Sequence, residues 1–240
     1  VPRSLLVVHG ALGSAAQLAP VADLLRATVP LASVVCVELP GHGQTSLGGA
    51  PFTMATFTDA LRDAVSAAAG QSANRPLVFG YSMGGYAALL LEATAPGTFG
   101  GIMTLGTMLE WTPTIAAAAA SRLDPTVIRA KVPAFAEQLD TRHAAIGGAN
   151  AMLAQTAALL VALGDAPPLS PARLAAIGCP VSLLVGERDD SVDVVATEAL
   201  AAGMQRAAVS RLAGVPHPIE KVPLELIVAE VRALLSRVDS

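Results

Sequence analysis

The chain has 240 residues, 53% of them hydrophobic and 14% charged, with a formal net charge of −4. That is enough chain for one large domain with a sizeable core, too apolar for intrinsic disorder, and without the basic stripe of a general nucleic-acid binder. A mean hydropathy of +0.57 raises the membrane question, but no run reaches the ~18 uninterrupted apolar residues of a spanning helix.

Six short apolar runs follow one another along the chain, over residues 4–10, 33–39, 76–80, 101–106, 180–186 and 207–212. Most are apolar throughout, as strands covered on both faces of a parallel sheet must be. Helical patterns separate them, over 15–28, 53–69, 83–95, 192–202 and 222–238. This alternation predicts an α/β class: a doubly wound, mostly parallel sheet. Chemistry in such sheets lies at the carboxyl ends of the strands, so each segment following a run is a place to search.

From 107 to 177 the rhythm stops. Ala- and Leu-rich segments there are punctuated by Pro113, Pro125, Pro133, Gly147, Gly148 and Pro167–Pro168. Roughly seventy residues exceed an ordinary loop. They read as an inserted helical cap, with 165–171 as the return hinge and a core made of 1–106 and 178–240. Cys36 and Cys179, in or beside apolar runs, read as buried free thiols rather than a disulfide framework.

The strongest motif is GYSMGG at 80–85, between the third run and a helix. G-x-S-x-G in a strand–turn–helix context exposes its serine, Ser82, at the top of the sheet as a nucleophile. HGALG at 9–13 closes the first run with a Gly-rich turn, where backbone N–H groups can approach a substrate oxygen. The N–H groups of Ala11 and Met83 are the two expected oxyanion donors, and His9 reads as a structural histidine inside the turn. Of the other histidines, His217 follows the last run and is the expected base, His42 reads as a loop tie, and His143 lies in the cap. GERDDSVD after the fifth run offers Glu187, Asp189, Asp190 and Asp193 as the acid that orients the base. Asp189, three residues past Gly186, is favoured.

The segments HGALGS, ELPGHGQTS, GYSMGGYAA, VGERDD and GVPHPIE occur in an order that resembles the α/β-hydrolase superfamily, in its serine-nucleophile branch with an inserted helical cap. The resemblance spans the first strand to the last helix and implies Ser82 as nucleophile, Asp189 as acid, His217 as base, and Ala11 and Met83 as oxyanion amides. Glu38 departs from the Asp that many members carry before the PGHG turn, and the usual leading antiparallel strands are expected to be absent or very short. Ser82 argues against the dehalogenase-like and epoxide-hydrolase-like members, which carry Asp at that turn.

The resulting expectation is a hydrolase of small or medium apolar carboxylic esters. The alternatives are a carbon–carbon bond hydrolase or lyase of aromatic or menaquinone metabolism, and a ligand receptor with slow turnover. Expected inward-facing substrate contacts in the cap are Met108, Leu109, Trp111, Ile115, Phe135, Met152, Leu159 and Leu160. Arg142 beside His143 is a possible anchor for a substrate carboxylate. No metal or organic cofactor is expected, because ligand spacings and the G-x-G-x-x-G fingerprint are absent. The expected partner is a small-molecule ester, not nucleic acid or membrane, and cytoplasmic placement is the default.

Overall fold

The computed structural model describes residues 2–70 and 72–239. Within them each of the six apolar runs forms a strand of one sheet: β1 (Ser4–Val8), β2 (Ser33–Val37), β3 (Leu77–Tyr81), β4 (Gly101–Leu105), β5 (Val181–Arg188) and β6 (Ala207–Pro216). The spatial order is β2-β1-β3-β4-β5-β6, with all neighbours parallel. β1, β3 and β4 are buried along their whole length. β2 and β6 lie at the sheet edges, where one side lacks a neighbour, and are only partly buried.

After β1 comes α1 (Ala19–Thr28), after β2 comes α2 (Met54–Ala69), and after β3 comes α3 (Met83–Thr94). Between β4 and β5 the chain leaves the sheet for α4 (Pro113–Ser121), α5 (Pro125–Lys131), α6 (Pro133–Arg142), α7 (Gly148–Asp165) and α8 (Pro171–Ala175). α9 (Val194–Ala201) follows β5, and α10 (Leu224–Asp239) follows β6. The helix expected over 15–28 opens as a 3-10 turn, Ala15–Leu18, and becomes α-helical only from Ala19. Pro20 supplies the reason: without an N–H it cannot bond back to Ala16.

The sheet separates two cores, as the period-two alternation of a strand requires. Leu6 and Val8 of β1 face the cluster that α2 and α3 fill with Phe57, Leu61 and Leu89. Leu5 and Val7 face the opposite cluster, filled from α1 and α10 by Leu25, Ile227 and Leu234. Burying each Leu or Phe stabilises the fold by about 1.5–3 kcal/mol relative to exposure.

In the segment between β4 and β5 the prolines acquire a role the sequence pattern did not specify. Pro113, Pro125, Pro133 and Pro171 each stand at the start of a helix. Their missing N–H is one the first turn would leave unbonded anyway. Thr112, Asp124 and Ser170 cap three of these helices by accepting first-turn N–H groups. The insertion has a small core of its own, with Ile128, Leu139 and Leu153 between α5, α6 and α7. The return segment docks on the sheet domain: Leu169 N–H donates to the Tyr86 hydroxyl of α3 at 3.2 Å. α8 then packs against α3, and Leu174 joins the α2–α3 cluster.

Candidate active site

The strand order reverses at β1, from which the chain steps outward to β2 and then back across to β3. Such a switch point opens a crevice beyond the carboxyl ends of the two central strands. The turn after β1, with Ala11 and Leu12, and the turn after β3, with Ser82 and Met83, line one cavity there, of about 780 Å³.

Ser82 joins β3 to α3 with φ 50° and ψ −116°. A side-chain-bearing residue at positive φ costs on the order of 1–3 kcal/mol, so its surroundings must hold it. They do so from the end of β4 and the segment after it: Ser82 N–H donates to Leu105 O at 2.8 Å, and the Thr107 hydroxyl donates to Ser82 O at 2.9 Å. The turn also needs glycine at its edges. A Cβ at Gly84 would lie 2.5 Å from the Val8 and His9 carbonyl oxygens, and one at Gly80 would lie 2.4 Å from Gly85 Cα. Met83 opens α3, so its N–H is among the first-turn donors that have no acceptor within the helix.

His217 and Asp189 come from the segments after β6 and β5. Asp189 Oδ2 accepts the His217 Nδ1–H at 2.7 Å, and Asp189 Oδ1 accepts the Ser191 and Val192 N–H groups at 2.8 and 3.0 Å. The Asp189 side chain is buried to 2% exposure, whereas that of His217 keeps 22% and lines the cavity. The Tyr81 hydroxyl donates to His217 O at 3.1 Å. Burial pushes that phenol well above its usual range, so it stays a donor. The other acids are occupied differently. Asp193 caps α9 by accepting the Ala196 N–H at 2.9 Å, Glu187 is exposed, and Asp190 lies on the cavity wall.

Nearly half of the cavity wall belongs to the insertion. Ile115, Ala118 and Ala119 form one face of α4, and Thr156, Leu159 and Leu160 one face of α7. Met108, Trp111 and Phe135 also line it, but Met152 and Leu109 do not. Met152 is fully buried one turn before Thr156 on α7, its sulfur accepting the Thr156 hydroxyl at 3.5 Å. Thr156, a residue the sequence reading passed over, holds the wall position instead.

The first turn is closed by Gly13 N–H donating to Gly10 O at 3.1 Å, with Leu12 at φ 61°. His9 lies buried beneath it. Its Nδ1–H donates to Gly10 O at 2.8 Å, and Nε2 sits 2.9 Å from a Glu38 carboxylate oxygen that also accepts the Ala15 N–H. Glu38 thus ties the β1 and β2 turns together. His42 is buried as well, its Nδ1–H donating to Pro40 O at 3.2 Å and its ring stacked 5.2 Å from Phe52. Burial, reinforced by the neighbouring His9 and His143, pushes its pKa down to about 3.

Arg142 lines the cavity, and its Nη1 donates to Leu12 O at 2.7 Å. His143 Nε2–H donates to the same oxygen at 3.0 Å, while its Nδ1 accepts the Gly43 N–H at 3.0 Å. Burial lowers the His143 pKa, favouring the neutral ring this pattern requires. Sequence reasoning also missed Thr107, Tyr81 and Leu12: Tyr81 and Leu12 fall inside the GYSMGG and HGALG segments but at positions given no role there, and Thr107 lies outside every motif. Among the described residues no cluster of His, Cys, Asp or Glu is arranged to hold a metal ion, and no helix is long and apolar enough to cross a membrane.

A parallel sheet of this order, with a strained serine turn at its switch point and a helical insertion after β4, is the framework of an α/β hydrolase. The chain belongs to the alpha/beta hydrolase family, whose profile matches residues 5–230. No curated protein matches it in sequence. Solved structures do share its fold. A putative lipase from Acinetobacter baumannii AYE is 20% identical with a TM-score of 0.80, the match covering 99% of this chain and 85% of that one. A thermophilic esterase from Thermogutta terrifontis is 20% identical at 0.76, covering 100% and 92%. MenH from S. aureus is 20% identical at 0.73, covering 99% and 95%.

Proposed function

We propose that this protein is a serine hydrolase cleaving a small or medium apolar carboxylic ester through an acyl-enzyme. The observation that carries the reading is the 2.7 Å Asp189–His217 hydrogen bond beside a strained Ser82, on a cavity whose far wall is apolar. Asp189 holds the proton on His217 Nδ1, which leaves Nε2 to take the Ser82 proton as the hydroxyl oxygen attacks the ester carbonyl. The Ala11 and Met83 N–H groups receive the developing oxyanion. His217 then protonates the departing alcohol, and in the second half it activates the water that releases the acid. The lipase and esterase neighbours agree with this reading at the level of fold.

A second reading, carbon–carbon bond cleavage or lyase chemistry on an acidic substrate, draws on Arg122 and Lys221 at the cavity wall and on the likeness to MenH. One experiment separates them: turnover of p-nitrophenyl esters from acetate to dodecanoate by the wild type and Ser82→Ala. Activity that peaks at one chain length and falls by about 10⁶ in the variant supports the ester hydrolase. Equal inertness of both proteins, with turnover of acidic dienones instead, refutes it in favour of the second reading.

A further inference from the structure

The proposed chemistry leaves one polar arrangement without a task. Arg142 and His143, at the end of α6, both donate to the carbonyl of Leu12, in the turn that carries the Ala11 amide. Leu12 is the third residue of the turn Gly10–Gly13 and has φ 61°. That position of a turn with positive φ is ordinarily glycine, because a Cβ there is strained. A leucine does not hold this conformation unaided, and relaxation to negative φ rotates the Ala11–Leu12 peptide and redirects the turn. The carbonyl on its far side is the handle by which the insertion grips it. Among the described residues Arg142 forms no ion pair that would draw it elsewhere.

We propose that Arg142 is a positioning residue: by donating to the Leu12 carbonyl together with His143, it holds the oxyanion turn in its strained form, so that the helical insertion sets the geometry of the Ala11 amide as well as the pocket wall. This inference rests on the serine-hydrolase reading. It makes Arg142 act on turnover of every ester rather than on binding of acidic ones.

The test compares wild type, Arg142→Ala and Arg142→Lys on p-nitrophenyl butyrate and on an ester with a free carboxylate in its acyl part. Hydrogen exchange of the peptide covering residues 9–14 is followed in parallel. Removing an oxyanion donor outright costs 10²- to 10³-fold in kcat, so loosening one in place is expected to cost about 10- to 100-fold. The loss should fall on kcat for both esters with KM within about threefold, exchange of 9–14 should rise, and Arg142→Lys should recover part of the rate. Should Arg142→Ala not fold, Arg142→Met, which keeps the aliphatic stem, takes its place in each arm. An unchanged kcat, or unchanged exchange of 9–14, overturns the proposal. So does a KM rise confined to the acidic ester, which makes Arg142 a substrate anchor. A wild type that turns over no ester and whose Ser82 resists a fluorophosphonate refutes the hydrolase reading, and the positioning role with it.

Discussion

Replacing Asp189 by Asn inverts a single hydrogen bond at the centre of the candidate site. Asp189 Oδ1 accepts two backbone N–H groups, from Ser191 and Val192, while Oδ2 accepts the His217 Nδ1–H. In the variant the two fixed N–H donors demand the amide oxygen at the Oδ1 position, which turns the amide NH2 toward His217. At 2.7 Å two donors cannot face each other, so the imidazole shifts its proton to Nε2 and can no longer accept one from Ser82. The same inversion in a serine protease triad lowers kcat by about 10⁴, or about 5 kcal/mol at 1.36 kcal/mol per decade. Because both backbone bonds survive and the shape is unchanged, the thermal midpoint should move little. Steady-state kinetics on a p-nitrophenyl ester, with a melting curve for each protein, checks this. Asp190→Asn and Asp193→Asn should each retain kcat within a few-fold. If Asp189→Asn keeps more than a tenth of wild-type kcat, the orienting role assigned to Asp189 is wrong.

Ala119 of α4 lies on the cavity wall, so Ala119→Phe should shorten the acyl chain the pocket accepts. Each excluded methylene costs about 0.8 kcal/mol, and losing two lowers kcat/KM on the longest ester by roughly 15-fold while acetate is spared. A uniform loss across the ester series would show that this face of α4 does not bound the acyl site. His42 predicts an acid-sensitive fold. Its folded pKa of about 3 lies below the ordinary 6.5, so between these values the unfolded chain binds the extra proton. The stability it contributes is present above pH 6.5 and is lost as pH falls toward 3, by up to about 1.4 kcal/mol per pH unit. Urea unfolding at pH 4, 5, 6 and 7 should give a shallower pH slope for His42→Phe, whose ring suits the site between Phe52 and Phe57. Parallel slopes for the two proteins would contradict the buried neutral histidine.

The framework was legible because its signals are local. Fully buried parallel strands must be apolar along their length, and β1, β3 and β4 announce themselves that way. The Ser82 turn is equally readable, since Gly80 and Gly84 are required by backbone contacts within a few residues and against the adjoining β1. Edge strands were harder: β6 mixes partly buried and exposed positions with only Leu212 and Val215 buried, because β5 covers only one of its sides. Of the four acids near the end of β5, the sequence favoured Asp189 only by its spacing from Gly186. Only the path of the loop, with two N–H groups gripping Asp189 Oδ1, turns one of them toward His217.

In the insertion, composition predicted helices but not their rotation. Met152 and Thr156 stand one turn apart on the same face of α7, and how α7 seats over the cavity leaves the methionine inside the packing and the threonine on the wall. The bond from Arg142 to Leu12 joins residues 130 positions apart. No periodicity or motif encodes such a contact. It exists because α6 ends above the turn after β1, and that placement is set by the packing of the whole insertion on the sheet. The sequence by itself determined the strands, the serine turn and the order of its chemical groups, because each depends on neighbours in the chain. The tertiary structure alone decided which wall residues and which arginine contact meet at the cavity, because those depend on where distant segments come to rest.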